Sequence, residues 1–80
     1  MANFKIKAFG ITKEILGRKE TVIEVDATTV EELKNYLYQT YPKLAGLKSL
    51  FIAVNHSYAE AGQTIAETDE IALIPPVSGG

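Results

Sequence analysis

The sequence contains no cysteine. That absence excludes disulfides, thiol nucleophiles, iron–sulfur ligation and cysteine-based zinc sites together. Histidine is nearly absent as well. His56 is the sole imidazole in 80 residues, so neither a His pair for a metal nor a His-rich proton relay can be assembled. No apolar run approaches the ~20 residues of a membrane span. The opening Met1-Ala2-Asn3-Phe4-Lys5 lacks the apolar stretch of a secretory signal. The expectation is therefore a cytoplasmic protein without membrane attachment. A strong charge of either sign is missing: Lys plus Arg is 8 and Asp plus Glu is 10, a net charge of −2. No basic stripe is available to neutralise phosphates, so nucleic acid is not an expected partner. A glycine-rich phosphate cradle is lacking too, because Gly17-Arg18-Lys19 is not followed or preceded by the spacing such a loop needs.

What is present is the composition of a folded domain, 46% hydrophobic and 22% charged. Eighty residues build one core but not a deep, self-contained cavity. If the chain takes part in catalysis, a partner is expected to supply most of the site. Phe4, Ile6 and Ala8 alternate with Lys5, Lys7 and Phe9, the period of a strand with its even positions inward. Gly10 and Gly17 bracket a short turn or helical piece, and Thr21–Val25 is a β-branched second strand close enough for a hairpin. Thr28 with Glu31, or Thr29 with Glu32, has capping-box spacing. Val30, Leu33, Leu37 and Tyr41 form one helical stripe, stopped where Pro42 disfavours helical geometry at Tyr41. The spacing predicts a third strand over Leu50–Asn55, an irregular stretch from Ser57 to Ala66, a turn at Thr68-Asp69-Glu70, and a last strand over Ile71–Ile74. A helix on one face of a mixed sheet is an α+β layer arrangement, and a β-grasp is the most economical topology that fits.

The end of the sequence is its most informative segment. Pro75 and Pro76 end sheet pairing and hold the exit extended, and Val77-Ser78-Gly79-Gly80 follow. Residues 1–76 read as the folded domain and residues 77–80 as a tail, narrow at its tip, able to thread a channel in another protein and present a carboxylate there. Here the chain resembles the small, sulfur-carrying subunits of molybdopterin synthase, the MoaD family of the ubiquitin-like β-grasp superfamily. The resemblance spans essentially the whole sequence. It rests on Phe9 and Glu14-Ile15-Leu16-Gly17 after the first strand, on Ala53-Val54-Asn55, and above all on Asp69-Glu70-Ile71-Ala72-Leu73-Ile74-Pro75-Pro76-Val77-Ser78-Gly79-Gly80. Thr68 stands where the family often has glycine, which alters a turn and no functional position.

The resemblance implies a carrier rather than an enzyme in its own right. Gly80 would be adenylated by a ubiquitin-activating-like adenylyltransferase that uses ATP, and sulfur would then replace one oxygen to give a thiocarboxylate. The large synthase subunit would use that sulfur on a pterin precursor. Gly79 would fit a narrow channel because it lacks a Cβ. No bound cofactor is expected, and a chain without Cys and with one His offers no other obvious covalent chemistry. Strand alternation places Phe9 and Ile74 on the sheet face away from the helix, and Tyr58 is positioned to complete a patch. The resemblance puts partner-contacting apolar residues at these three positions, with Pro75, Pro76, Val77 and Ser78 leading to the tip. Three alternatives stay open: a sulfur carrier for thiamin thiazole, a ubiquitin-like protein modifier, and an interaction module with an inert tail. Elsewhere the simpler assignments hold: His56 satisfied or solvated, Asp69 and Glu70 a solvated turn rather than a catalytic pair, and Tyr36, Tyr38 and Tyr41 packing residues of the helix.

Overall fold

The computed structural model describes residues 2–47 and 49–76. Chain order is β1 (Ala2–Ala8), α1 (Ile11–Leu16), β2 (Glu20–Val25), α2 (Val30–Thr40), α3 (Pro42–Ala45), β3 (Phe51–Val54), β4 (Ser57–Tyr58) and β5 (Glu70–Ile74). The five strands form one sheet in the order β2-β1-β5-β3-β4. The central pair, β1 with β5, is parallel, and the other three pairs are antiparallel. This is the β-grasp arrangement expected from the element order, with the first and last strands side by side at the centre.

Alternation decides which face is covered. Phe4 and Ile6 of β1, and Ile71 and Leu73 of β5, are buried in one cluster with Val30, Leu33 and Leu37 of α2, and Ala8 is buried as well. Leu44, Leu50, Ile52, Val54 and Ile65 complete the same core. Full burial of one such side chain stabilises the fold by about 1.5–3 kcal/mol. The helix begins with a capping box: Thr29 Oγ1 accepts the Glu32 N–H at 3.3 Å, and Glu32 Oε1 accepts the Thr29 N–H at 3.2 Å. The first two helical N–H groups, of Val30 and Glu31, donate to the carbonyls of Gln63 and Ala61, both at 2.9 Å. All the orphan donors of the first turn are thereby satisfied, two of them by a distant segment.

That segment corrects the sequence expectation for Ser57–Ala66. Ser57 and Tyr58 pair with β3, Thr64 bridges Thr29, and the backbone between them caps α2. Its hydrogen bonds go to distant partners, so no local period announces it. Boundaries shift as well, and Leu50 lies just before the third strand rather than in it. Asn55 leaves the third strand for a two-residue turn with His56, at φ 52° and 71°. Glu70 belongs to β5 rather than to the preceding turn, because its N–H donates to Asn55 Oδ1 and its carbonyl accepts the Asn55 N–H. The long helix stops at Thr40, as Pro42 requires, and Pro42 then starts the single turn of α3, where its missing N–H costs nothing.

Candidate functional site

The open face of the sheet, opposite α2, is built by the out-facing positions of the central strands. Ala72 and Ile74 of β5 point there, half-buried, between the fully buried Ile71 and Leu73. Phe9 follows β1 and is 47% exposed, and Tyr58 on β4 is 73% exposed. These three sequence-predicted residues, Phe9, Tyr58 and Ile74, line one concavity of ≈ 330 Å³ together with Ala53 and Ala72. Small side chains on β3 and β5 leave the hollow, and the larger ones stand around it. Exposed aromatic and aliphatic groups around a hollow have the makeup of a protein-docking surface, where buried anchors carry most of the binding energy.

The same concavity carries one charged group of residues. Lys7 Nζ lies 3.2 Å from Glu70 Oε1, and His56 Nε2 lies 3.2 Å from Glu70 Oε2. Asn55 orients the strand start beneath them, its Nδ2 donating to Asp69 Oδ1 at 2.9 Å while Asp69 Oδ2 accepts the Ala66 N–H at 2.8 Å. Asp69 and Glu70 thus serve different partners, in agreement with their not forming a catalytic carboxylate pair, although neither is merely solvated. The exposed Lys7–Glu70 ion pair adds at most about 1 kcal/mol, so its effect is to fix which charge meets a partner.

Sequence reading missed Phe51. It lies across from Ile74 in the β3–β5 register, and its ring centroid is 5.6 Å from that of Tyr58. The signal was present as an aromatic two positions before Ala53, on the same face of the strand by alternation. It also missed the Lys7–Glu70–His56 group, which joins three elements distant in sequence.

At the exit, Pro75 and Pro76 are half-buried. Pro75 Cγ approaches the backbone of Gly10 so closely that a Cβ built there would meet it at 3.3 Å. Gly10 has φ 55° and ψ −129°, a conformation essentially reserved for glycine. The proposed tail positions Val77, Ser78, Gly79 and Gly80 lie outside the described residues. Among the described residues, no group of three or more His, Cys, Asp or Glu side chains is gathered to hold a metal ion. No helix among them is long and apolar enough to cross a membrane.

This geometry has close relatives. The chain is 36% identical to the molybdopterin synthase sulfur carrier subunit of Caenorhabditis briggsae, over 100% of both chains. Its fold superimposes on the crystal structure of SAMP1 from Haloferax volcanii with a TM-score of 0.80 and 28% identity, covering 99% of this chain and 100% of that one. It also matches a chain in the protein–protein complex of subunits 1 and 2 of molybdopterin-converting factor from Helicobacter pylori, with a TM-score of 0.68, 25% identity, and 98% and 99% coverage. The profile of the ThiS family matches residues 6–80. On that match, and on the relative aligned from end to end, this chain belongs to the ThiS family.

Proposed function

We propose that this chain carries sulfur for molybdopterin synthesis, with the carboxylate of Gly80 as the reacting group and the open sheet face as the docking surface. The observation that carries the reading is the position of β5. The strand that supplies Ile74 to the apolar hollow runs straight into Pro75-Pro76, so the residues that precede Gly79 and Gly80 begin beside the surface a partner would cover. The relatives named molybdopterin synthase sulfur carrier subunit, similar over their full length, support the same role.

The chemistry needs little from the domain itself. A terminal carboxylate has a pKa near 3.5 and is ionised at neutral pH. It attacks the α-phosphorus of ATP in an activating adenylyltransferase, pyrophosphate leaves, and an acyl adenylate remains. Hydrosulfide then attacks the acyl carbon, the C–O bond to AMP breaks as the C–S bond forms, and loss of the S–H proton leaves a thiocarboxylate. In the large synthase subunit that sulfur passes to the pterin precursor, and hydrolysis returns the carboxylate. Phe9, Tyr58 and Ile74 hold the partner, Pro75, Pro76, Val77 and Ser78 span the approach, and Gly79 passes the constriction. The complex that contains the Helicobacter pylori chain supports a large subunit as one partner.

A second reading, a protein modifier joined through Gly80 to lysines, is favoured by the likeness to the small archaeal modifier proteins. Mass spectrometry of the protein from its native cell decides. An oxygen-to-sulfur exchange at Gly80 supports the carrier, a series of larger conjugates supports the modifier, and an unchanged mass under molybdopterin-producing conditions overturns both.

A further inference from the structure

Thr12 is a polar side chain with 0% exposure, and its bonding is local. Its Oγ1 accepts the Phe9 N–H at 2.8 Å and donates to the Phe9 carbonyl at 2.5 Å, and its own N–H donates to that carbonyl at 3.1 Å. The Phe9 backbone is thus held at both its polar atoms by one buried residue. β1 ends at Ala8, so the backbone held in this way lies just past the strand. Between Phe9 and Thr12 lies Gly10, with its positive φ and its close approach to Pro75 Cγ. One turn therefore touches both the aromatic on the open face and the first residue after β5.

We propose that the turn from Phe9 to Thr12 is a positioning device that fixes the Phe9 docking anchor and the Pro75 root of the tail as one rigid unit, with Thr12 and Gly10 as positioning residues. The inference rests on the carrier reading above. A reacting end delivered into another protein's site must arrive within about 3–3.5 Å of its target, and small misplacements lower the rate steeply. A carrier that docks through Phe9 and reacts beyond Pro75 gains by holding those two points at a constant separation. Thr12 acts on the anchor, and Gly10 acts on the root. Loss of Thr12 bonding therefore weakens docking, whereas a side chain at Gly10 displaces Pro75 and slows transfer from an intact complex.

The test uses the full chain, the purified large subunit and the activating enzyme. Thr12→Val keeps the shape and removes both side-chain hydrogen bonds. The expected result is a folded variant that binds the large subunit roughly tenfold more weakly, a change of 1.4 kcal/mol. Thr12→Ser restores binding. In a Phe9→Ala background Thr12→Val has no further effect, a non-additivity that general destabilisation does not produce. Gly10→Ala is expected to leave KM for adenylation near the parent value and to lower kcat. Parental affinity in Thr12→Val, an equal loss in the Phe9→Ala background, or parental kcat in Gly10→Ala overturns the inference. Should Thr12→Val fail to fold, amide exchange in the parent chain decides. The Phe9 N–H is expected to be as protected as that of Ala8, and free exchange at Phe9 overturns the inference. Should the parent bind neither protein, the carrier reading fails separately. The rigid unit then stands or falls on whether Thr12→Val moves the Phe9 and Pro75 resonances together.

Discussion

Phe51 stands directly opposite Ile74 across β3 and β5, and its ring reaches Tyr58 at 5.6 Å. Two residues that line the apolar hollow, Ile74 and Tyr58, are therefore each paired with Phe51, which itself lies beside the hollow rather than in its lining. Large side chains in such arrangements anchor interfaces, and truncating an anchor costs about 2 kcal/mol or more of binding. Phe9→Ala and Ile74→Ala are expected to weaken binding to the large subunit or the activating enzyme by roughly tenfold or more, with Phe51→Ala intermediate between them and the parent. Titration calorimetry with each purified partner measures this. Three folded variants with parental affinities would place docking elsewhere.

At the tip, deletion of Gly80 or addition of one residue after it is expected to abolish sulfur transfer while leaving the melting temperature unchanged. On the carrier reading the reacting group is the α-carboxylate of Gly80, and the buried core is complete within residues 4–73. Gly79→Val is expected to slow adenylation or synthase turnover at constant stability. In vitro pterin sulfuration, with intact mass determined afterwards, reads both. Normal sulfuration by a chain that keeps its extension sinks the carrier reading.

The helix cap gives a pH-dependent prediction. The Thr28 backbone N–H, followed by the Thr28 hydroxyl and the Thr29 N–H, holds the Glu32 carboxyl below its ordinary value of 4.5. A carboxylate whose folded value is depressed adds stability that is fully present above its unfolded value and is lost as pH falls through the folded one. Stability of the parent is thus expected to decline below pH 4.5 more steeply than that of Glu32→Gln. Thr29→Ala, which removes the other half of the box, is expected to cost about 1 kcal/mol at neutral pH. Urea unfolding at a series of pH values measures both, and parallel curves for parent and Glu32→Gln would contradict the assigned bonding.

The β3–β4 turn gives a prediction of opposite sign. His56 sits at φ 71° after Asn55 at φ 52°, the pattern of a tight hairpin turn whose second position favours glycine. A side chain in that region costs on the order of 1 kcal/mol, and the greater freedom of glycine in the unfolded chain takes back part of it. The exposed His56–Glu70 pair returns little. His56→Gly is therefore expected to stabilise the domain, by about 0.5 kcal/mol. A lower denaturation midpoint would show that the His56–Glu70 contact matters more than the turn.

Local rules made much of this fold legible. The alternation of Phe4, Ile6 and Ala8, the Thr29–Glu32 spacing and the Pro42 stop each report on residues a few positions away, and each matches the structure. Pairing β1 with β5 required only that the element order fit a known topology, and it brought Phe9 and Ile74 into one hollow as expected. What stayed hidden depends on distant partners. The backbone of Ala61 and Gln63 is ordered by the helix it caps, and Glu70 is drawn into its strand by Asn55. Thr12 looked like one residue of a short turn, because burial of its hydroxyl depends on how that turn packs.

The parallel pairing of Ile6 with Ile71 has a consequence for biogenesis. The strand that occupies the middle of the sheet is made last, so during synthesis β1 and β3 wait for a neighbour separated from β1 by more than sixty residues. Contacts this distant in sequence make folding slower than in a helical protein of the same size. They also make it all-or-none with respect to chain length. A nascent chain released before residues 70–74 has an open seam where β5 belongs and no completed core. The segment that closes the seam also precedes Gly79 and Gly80 in the chain, so on the carrier reading a fragment unable to fold also lacks the end a partner would act on.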